Sequence, residues 1–546
     1  MSGSFFEAVS SHPGSLDRTH IFRAIALGHV SAFDGRVSIA AASSQTITPM
    51  SSPRKLICHP YCAYYKSEAK EEMSCGGLTV LAPLLEAHPE LIPVLAMEKA
   101  TPFKDPYPHL FHHLLCRHCD FFIDGCDFTD PEFTQPAPPC GGYVAADALL
   151  QRSPAHESIL LEALTPKDLP VTLDSKCTLK QLEFLYLYHI GRDELYELDE
   201  KSFAFLRQCN GNHLLSDLSA DMAFLDFCLR EGLLCLGSEC PSPSVRLAPS
   251  PIPSLRYLEM QLTSRCNLRC RHCYLGEPKT EDLSLPSVLS ALDEFERMQG
   301  LRVLVSGGEP LLYPGFAKLS EALSRFQFRK VLLTNGTLLR EENQELWEGF
   351  DEIQFSLDGL QAGHEALRGP GTYAKTMEGI KAAQVKNIPI SIATMVHSHN
   401  LEDFVRLADL ITDLGAIEWS IDVPCATGRL SAHPELSVSP EQGAPFLRYA
   451  FGGSYHGAEE AYACGYHLCT VSPQGHVLKC GFFDDTPLGT LKEGLETSWK
   501  RARHLRLSEL ACSQCPHILE CKGGCRYRAE APRGKDPVMC ALYGVG

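Results

Sequence analysis

Short apolar runs alternate with amphipathic stretches through the second half of the chain. The apolar runs have the length of buried strands and occupy residues 257–262, 303–305, 331–333, 353–357, 389–396 and 417–421. The stretches between them have the apolar spacing of helices, at residues 285–299, 316–326, 373–385 and 401–414. Strands that alternate with helices favour right-handed βαβ units around a parallel sheet. We therefore predict an α/β fold with a six-unit barrel or partial barrel over residues 255–440.

The pattern is different in the first half of the chain. Residues 173–240 contain short strand-like and helical pieces, with Asp199 as the N-cap of one predicted helix and Gly232 at the end of another. Residues 241–254 are rich in proline and serine, which predicts a linker. Residues 1–55 are rich in serine and alanine and lack cysteine, so we expect a flexible tail or an over-extended start, with Met50 as the alternative initiator.

Length, charge, cysteine content and hydropathy limit this picture further. The length of 546 residues favours about two to four domains. The net charge of −18 opposes non-specific binding to nucleic acid or to an anionic membrane, so we expect neither as a partner. The chain has 24 cysteines and no signal-peptide pattern, which favours metal or redox chemistry in a reducing compartment. No apolar run approaches the roughly 18 residues of a membrane span, so we expect a soluble, cytoplasmic protein.

Three cysteines, Cys266, Cys270 and Cys273, directly follow the first predicted barrel strand. Three thiolates can bind three irons of a [4Fe-4S] cluster and leave the fourth iron to an exchangeable ligand. A zinc site or a chance cluster is the alternative, although structural zinc normally has four protein ligands. Because chemistry in a parallel barrel gathers at the carboxyl ends of the strands, the position of the triplet favours a functional site.

Each of the next three predicted strands also ends in a polar or glycine-rich motif. The second strand is followed by the sequence SGGEP at residues 306–310, where the glycines permit close backbone approach and Glu309 offers a carboxylate to an ammonium group. The third ends in TNG at residues 334–336, and the fourth in SLDG at residues 356–359, followed by Arg368. Each motif alone could be an ordinary turn.

Together, the triplet and these three motifs resemble the radical S-adenosylmethionine (SAM) enzymes over about residues 255–430. The resemblance implies a partial (β/α)6 barrel in which the three cysteines bind a [4Fe-4S] cluster whose open iron chelates SAM. It also assigns His272 to the adenine and Arg368 to the SAM carboxylate. The remaining implied SAM contacts are Gly307, Gly308 and Glu309 at the methionine amino group and Ser356.

The resemblance also implies a mechanism. The reduced cluster passes one electron to the sulfonium of SAM, which splits into methionine and a 5′-deoxyadenosyl radical that abstracts a hydrogen atom from the substrate. A ferredoxin or flavodoxin is the expected reductant, and the enzyme is expected to work anaerobically. The protein orients the reacting bond and excludes water and oxygen, while the cofactor carries the chemistry.

The last hundred residues contain eight cysteines, enough for two four-thiolate sites. Structural zinc is one interpretation. Behind a radical SAM barrel, however, the spacing resembles the SPASM extension, here residues 441–546. The resemblance implies two auxiliary [4Fe-4S] clusters, one bound by Cys464, Cys469, Cys480 and Cys525 and the other by Cys512, Cys515, Cys521 and Cys540. Sulfatase-maturing members carry an acidic base where this chain has Gly481, which disfavours formylglycine formation.

Seven further cysteines lie in residues 56–150, which we interpret as a metal-binding region. They form two series that both end in Cys-Gly-Gly and suggest a degenerate duplication. The second series supplies four thiols, whereas the first has three and could be completed by His59. Structural zinc is the first hypothesis and an iron-sulfur centre the second. The series are Cys58, Cys62 and Cys75, and Cys116, Cys119, Cys126 and Cys140.

Residues 173–240 resemble the small winged-helix domain with which many peptide-modifying radical SAM enzymes bind a precursor peptide as an added strand. A generic helical linker domain is the alternative. The leading functional hypothesis is a SPASM-type maturase that modifies a precursor peptide or a protein side chain. Two alternatives stay open: a radical SAM enzyme that acts on a small-molecule cofactor precursor, and a non-catalytic iron-sulfur electron carrier.

Overall fold

The structure is a computed structural model that describes residues 53–64, 75–96, 102–116, 119, 126, 128, 137–165, 169–218, 222–237, 246–453, 456 and 461–545. The predicted tail up to residue 52, including Met50, lies outside the described residues, as do residues 241–245 of the predicted linker.

The described strands are β1 (Pro170–Leu173), β2 (Cys177–Gln181), β3 (Leu185–His189), β4 (Glu194–Leu198), β5 (Asn210–Leu214), β6 (Leu234–Leu236), β7 (Tyr257–Gln261), β8 (Arg302–Ser306), β9 (Arg329–Thr334), β10 (Glu352–Ser356), β11 (Ile390–Met395), β12 (Glu418–Asp422), β13 (Leu468–Val471), β14 (His476–Leu478) and β15 (Gly489–Thr490). The described α-helices are α1 (Pro53–Tyr61), α2 (Gly76–Ala87), α3 (Ile92–Leu95), α4 (Pro108–Leu114), α5 (Gly141–Arg152), α6 (Glu157–Leu164), α7 (Glu200–Gln208), α8 (Met222–Arg230), α9 (Leu285–Arg297), α10 (Phe316–Leu323), α11 (Gln361–Arg368), α12 (Thr372–Val385), α13 (Phe404–Asp413), α14 (Pro440–Gly443), α15 (Leu495–Trp499), α16 (Ile518–Cys521) and α17 (Pro537–Tyr543).

These elements form two compact units. The barrel unit comprises the described parts of Thr178–Glu197 and Val245–Gly546, and the amino-terminal unit those of His20–Cys177 and Leu198–Ser244. Residues 173–240, which the sequence suggested as one domain, are therefore divided between the two units. The physical reason is packing: Tyr186 and Tyr188 of β3 form an apolar cluster with Leu301, so this small sheet belongs to the barrel unit.

The main sheet of the barrel unit contains nine strands in the order β12-β11-β10-β9-β8-β7-β13-β14-β15. Strands β7 to β12 are parallel neighbours, with Leu258 opposite Val303 at the start of the series. The α/β class and the partial barrel predicted from the apolar pattern are confirmed. Strand β13 adds to β7 in parallel, and β14 and β15 follow in antiparallel pairing. The carboxyl-terminal residues thus extend the barrel sheet itself.

The barrel core lies between the sheet and its surrounding helices. Leu258, Val303 and Ile353 from the strands and Phe295 from α9 are completely buried in one apolar cluster. Helix α9 begins where Ser284 accepts a hydrogen bond from the Ser287 amide, as expected of an N-cap. This packing holds the six parallel strands in register, so the loops after them meet at one edge of the sheet.

The predicted linker is a packed segment in its described part. Ser254 is fully buried, and its amide donates a hydrogen bond of 2.7 Å to the Glu183 carboxylate. Ser250 is also buried and donates from its hydroxyl to the Met298 carbonyl. Both residues thus form hydrogen bonds with the barrel unit. These contacts explain why the proline-rich segment is packed here and is not an extended linker.

In the amino-terminal unit, each Cys-Gly-Gly segment begins a twelve-residue helix, α2 after Cys75 and α5 after Cys140. The two helices touch at their first turns, where a Cβ atom on Gly77 would lie 2.3 Å from the Gly142 Cα. Among the described residues, no single helix is long and apolar enough to cross a membrane, although α2 and Pro89–Leu95 pass that test as a pair bent by 111°.

Candidate active site

The three cysteines after β7 line one cavity, which we call the central cavity. Cys266, Cys270 and Cys273 interact electrostatically with one another, and burial raises the pKa of the Cys266 thiol to about 12. The site thus holds three soft donors together in surroundings where thiolates need a compensating cation. This donor set fits the three-cysteine side of a [4Fe-4S] cluster.

The two glycines after β8 let this loop pack directly against the chain that leads into the cysteine triplet. A Cβ atom on Gly308 would lie 2.2 Å from the Arg265 carbonyl oxygen, and one on Gly307 would lie 2.6 Å from the Thr263 oxygen. Because neither glycine has a Cβ atom, the backbones can come together. The Gly308 amide donates to the Thr263 carbonyl at 2.8 Å, and the Glu309 amide donates to the Arg265 carbonyl at 2.7 Å. Both glycines line the central cavity, as a backbone cradle requires.

The Glu309 side chain points into the protein and is fully buried. Its carboxylate accepts hydrogen bonds from the Thr334 hydroxyl at 2.9 Å and from the Asn335 amide at 3.0 Å, and burial raises its pKa to about 7. Asn335 in turn donates to the Asn267 side chain beside Cys266. Glu309 therefore joins the TNG motif to the cysteine loop, while its contact with a SAM amino group stays a prediction.

Of the two SAM contacts predicted at and after the SLDG motif, one lines the central cavity and the other does not. Arg368 lines the central cavity, and its Nη1 atom lies 3.9 Å from the Cys270 sulfur. Asp358, which the sequence analysis quoted only as part of SLDG, pairs with the Arg368 guanidinium. Burial opposes its charge, but Arg368 outweighs that cost and holds the pKa of Asp358 well below its usual range. Ser356 is buried and does not line the cavity.

His272 lines the central cavity. Its Nδ1 atom is buried and accepts or donates no hydrogen bond among the described residues. Burial, reinforced by the nearby Arg368 charge, lowers the His272 pKa to about 3, so the imidazole is neutral at physiological pH. An orphaned polar atom of this kind fits the predicted place of an adenine.

A row of aromatic side chains lines another part of the cavity. Phe482 packs on Tyr274 with ring centroids 4.7 Å apart, and on Tyr527 at 5.0 Å. Gly481 lies beside them, and a Cβ atom there would be 2.9 Å from the Tyr274 hydroxyl. Sequence reasoning noted Gly481 but missed the aromatic row, because its members come from three distant segments. Asp484 is a further lining residue.

The eight carboxyl-terminal cysteines form two groups, and one of these groups differs from the set that the SPASM resemblance implies. Cys521 interacts electrostatically with Cys512 and Cys540, and Cys540 also with Cys515, so this predicted set is brought together. In the other set, the thiols of Cys464, Cys480 and Cys525 interact with one another. Cys469 instead lies in the apolar core of the barrel unit.

The amino-terminal cysteines combine across the two predicted series. The thiols of Cys75 and Cys140 share a hydrogen bond, and Cys116 interacts with Cys119, Cys126 and Cys75. A Cβ atom on Gly76 would touch Cys119, and one on Gly141 would touch Cys62. Cys58 and Cys62 occupy one helical turn, whereas His59 is exposed. Cys75 thus lies with the second series.

Five cysteines between residues 173 and 240 lack the spacing of a ligand set. Cys177, Cys209 and Cys228 among them are buried. Cys235 is half-buried and disulfide-bonded instead. Cys240 lies outside the described residues.

Comparison with known proteins agrees with this geometry. Residues 260–411 match the model of the radical SAM superfamily. The chain is 32% identical over 326 residues to the mycofactocin maturase MftC of Mycobacterium ulcerans, an alignment that covers 53% of this chain and 88% of that relative. The chain belongs to the radical SAM superfamily.

Two further similarities are more distant. The AdoMet-dependent heme synthase of Methanosarcina barkeri is 27% identical to this radical SAM chain over 326 residues, 51% of this chain and 93% of the relative. The crystal structure of Streptococcus suis SuiB bound to S-adenosylmethionine has a TM-score of 0.48 and 15% identity, covering 69% of this chain and 99% of that one.

Membership of the superfamily makes this radical SAM protein an enzyme that uses a [4Fe-4S] cluster and SAM. Those groups supply one-electron chemistry when bound. The chain's own residues give the cluster three thiolates, leave a glycine-lined backbone surface beside them and place the Arg368 cation on the same lining. The buried hydrogen bonds of Glu309 and the Asp358–Arg368 pair hold these groups in place, and the aromatic row forms part of the same lining.

Proposed function

We propose that this enzyme is a radical SAM maturase that modifies a side chain of a peptide or protein. The observation that carries the proposal is the 32% identity with a relative that is named a maturase. The alignment covers 88% of that relative. The similarity to the heme synthase, at 27%, supports the small-molecule alternative. The charges of the central cavity favour the first of these two.

Four basic and four acidic side chains line the cavity, so its lining has no excess of positive charge. Arg269 and Arg429 both pair with Glu277, and Arg368 pairs with Asp358. A tetrapyrrole precursor carries several carboxylates and would need unpaired cations around it. A peptide segment has a neutral backbone and can stack an aromatic or apolar side chain on Tyr274 and Phe482.

The precursor peptide is proposed to bind outside the cavity, on the sheet β2-β3-β4 of the barrel unit. Strand β4 lies at the edge of this sheet, and four of its five residues are at least partly exposed. An exposed edge offers backbone hydrogen bonds to an added strand, and the neighbouring side chains provide selectivity.

The remaining cysteines are proposed to bind further metal centres. Two auxiliary [4Fe-4S] clusters in the carboxyl-terminal region would act as an electron relay. The amino-terminal cysteines would bind zinc or a further iron-sulfur centre, because the thiols of Cys75 before α2, Cys140 before α5 and Cys116 after α4 lie close to one another.

The function is tested in two stages. Anaerobically reconstituted and reduced protein should release 5′-deoxyadenosine from SAM, and Cys270→Ala should abolish that release because the cluster loses a ligand. No release from the unmodified protein would reject the enzyme. In the second stage, a peptide encoded beside the gene is incubated with the enzyme and its mass is measured. A changed mass supports the maturase, whereas turnover of a porphyrin precursor alone supports the alternative.

A further inference from the structure

We infer that Cys425, and not Cys469, is the fourth ligand of the auxiliary cluster bound by Cys464, Cys480 and Cys525. The resemblance to the SPASM extension assigned Cys469 to this set and left Cys425 without a role. The inference rests on the proposed auxiliary clusters and changes which part of the chain completes one of them.

Cys469 faces the wrong side of the sheet for this set. It is the second residue of β13, opposite Leu258 of β7, and it is fully buried in the apolar cluster that contains Val471 and Trp499. Its neighbour Thr470 faces the other side and donates to the Glu259 carboxylate at 2.9 Å. Because side chains alternate along a strand, Cys469 belongs to the packed layer. Among the described residues, the one charged group that acts on its thiol is Glu259.

Cys425 lies in the loop that follows β12, and its thiol forms a hydrogen bond with the Cys525 thiol. Cys525 in turn interacts with Cys464 and Cys480. Four sulfur atoms from three distant segments are thus connected in one group. Cys425 also lines the central cavity, which the three cysteines after β7 share.

Other contacts hold the Cys425 loop against the Cys525 segment. Arg528 donates to the Asp422 carboxylate at 2.7 Å and to the Val423 carbonyl at 2.9 Å. The Tyr527 hydroxyl lies 3.1 Å from the Thr427 hydroxyl. Both ends of the loop are therefore held by side chains two and three residues beyond Cys525, which keeps the loop close to the Cys525 segment.

A [4Fe-4S] cluster with four thiolates has no open iron, whereas three thiolates leave one iron exposed to exogenous ligands. With Cys425 as the fourth ligand, the cluster joins the barrel to the carboxyl-terminal segment and lies beside the substrate cavity. Its loading and the docking of these two parts of the chain are then thermodynamically coupled.

The test uses the full chain with Cys266, Cys270 and Cys273 all replaced by alanine, so that the remaining iron belongs to the other sites. Cys425→Ser and Cys469→Ser are compared in this background after anaerobic reconstitution. We expect Cys425→Ser to lose up to about four irons per chain, or to show the electron paramagnetic resonance signal of a [3Fe-4S] cluster. Cys469→Ser should keep the iron content of the parent.

Alkylation of the unmodified protein gives a second readout that needs no variant to fold. Cys425 should be protected from iodoacetamide in the loaded protein and react after iron is chelated, while Cys469 should stay unreactive in the folded protein. Loss of iron with Cys469→Ser alone, or equal alkylation of Cys425 with and without iron, would overturn the inference. A parent that binds no auxiliary iron would instead reject the proposed clusters.

Discussion

At the scale of single residues, the central cavity depends on positions that lack a side chain as much as on those that carry chemistry. A Cβ atom on Gly308 would meet the Arg265 carbonyl, and one on Gly481 would meet the Tyr274 hydroxyl. The sequence predicted that Gly308 permits close backbone approach. The structure supplies the steric cause, which is the direct packing of one loop on another.

We therefore expect Gly308→Ala to disrupt the site. The added methyl group would lie 2.2 Å from the Arg265 oxygen, and the loop must move to relieve the contact. The free energy of unfolding should fall by about 1–3 kcal/mol, which is typical of overpacking. Release of 5′-deoxyadenosine should fall at least about tenfold, which corresponds to about 1.4 kcal/mol in the activation barrier.

The matched control is Gly349→Ala, because a Cβ atom on Gly349 meets nothing within 4 Å. Urea titrations and product release are measured for both variants. Equal behaviour of Gly308→Ala and Gly349→Ala would contradict the steric role of Gly308.

At the scale of secondary-structure elements, the local apolar pattern predicted the strands and helices of the barrel well. The barrel strands and helices lie within a few residues of the predicted runs, and α7 begins where the Asp199 side chain accepts from the Ser202 amide at 2.7 Å. These features depend on apolar periodicity and capping, which are local. The contact between α2 and α5 depends on two glycines that lie 65 positions apart, so no local signal predicts it.

Gly77→Ala should separate the first turns of α2 and α5 and loosen the thiols beside them. A Cβ atom there would lie 2.3 Å from the Gly142 Cα, which is backbone and cannot rotate away. We expect metal bound by the amino-terminal unit to decrease by at least about half, while iron in the barrel unit is unchanged.

Glu86→Ala, an exposed position of the same helix, is the control. Zinc and iron are measured by elemental analysis, with the thiols that metal protects located by alkylation. Full metal content in Gly77→Ala would show that the helix contact does not support the site.

At the scale of the whole molecule, the carboxyl-terminal cysteines belong to a region with little regular structure of its own. Helices α16 and α17 have four and seven residues, far fewer than an isolated helix needs. By contrast, β13 pairs with β7 and the barrel core encloses Trp347 and Trp419. Metal binding is therefore expected to stabilise these two parts of the barrel unit unequally.

Removal of iron by an anaerobic chelator should loosen residues 507–545 and leave the barrel strands folded. We expect amide hydrogen exchange in that segment to accelerate at least about tenfold, because cluster binding and local folding are coupled. Exchange in β8 to β10, which lie within the barrel sheet, should change little. Equal acceleration across the barrel unit would mean that the clusters stabilise the whole unit cooperatively.

The sequence by itself determined the barrel, the cysteine triplet and the motifs after β8, β9 and β10. It did so because apolar periodicity and short loops are local properties, and because parallel strands bring the loops after them to one edge of the sheet. Membership of the radical SAM superfamily follows from those same segments.

Only the tertiary structure decided which distant residues meet. Asp358 pairs with Arg368, and the Glu309 side chain points into the protein. Residues 173–240 are divided between two units. The Cys425 thiol forms a hydrogen bond with the Cys525 thiol. The physical reason is that such contacts depend on strand order, on the face of the sheet that each side chain occupies, and on how the loops pack. The resemblance to the SPASM extension assigned Cys469 to a cluster, whereas the alternation of side chains across β13 places it in the core.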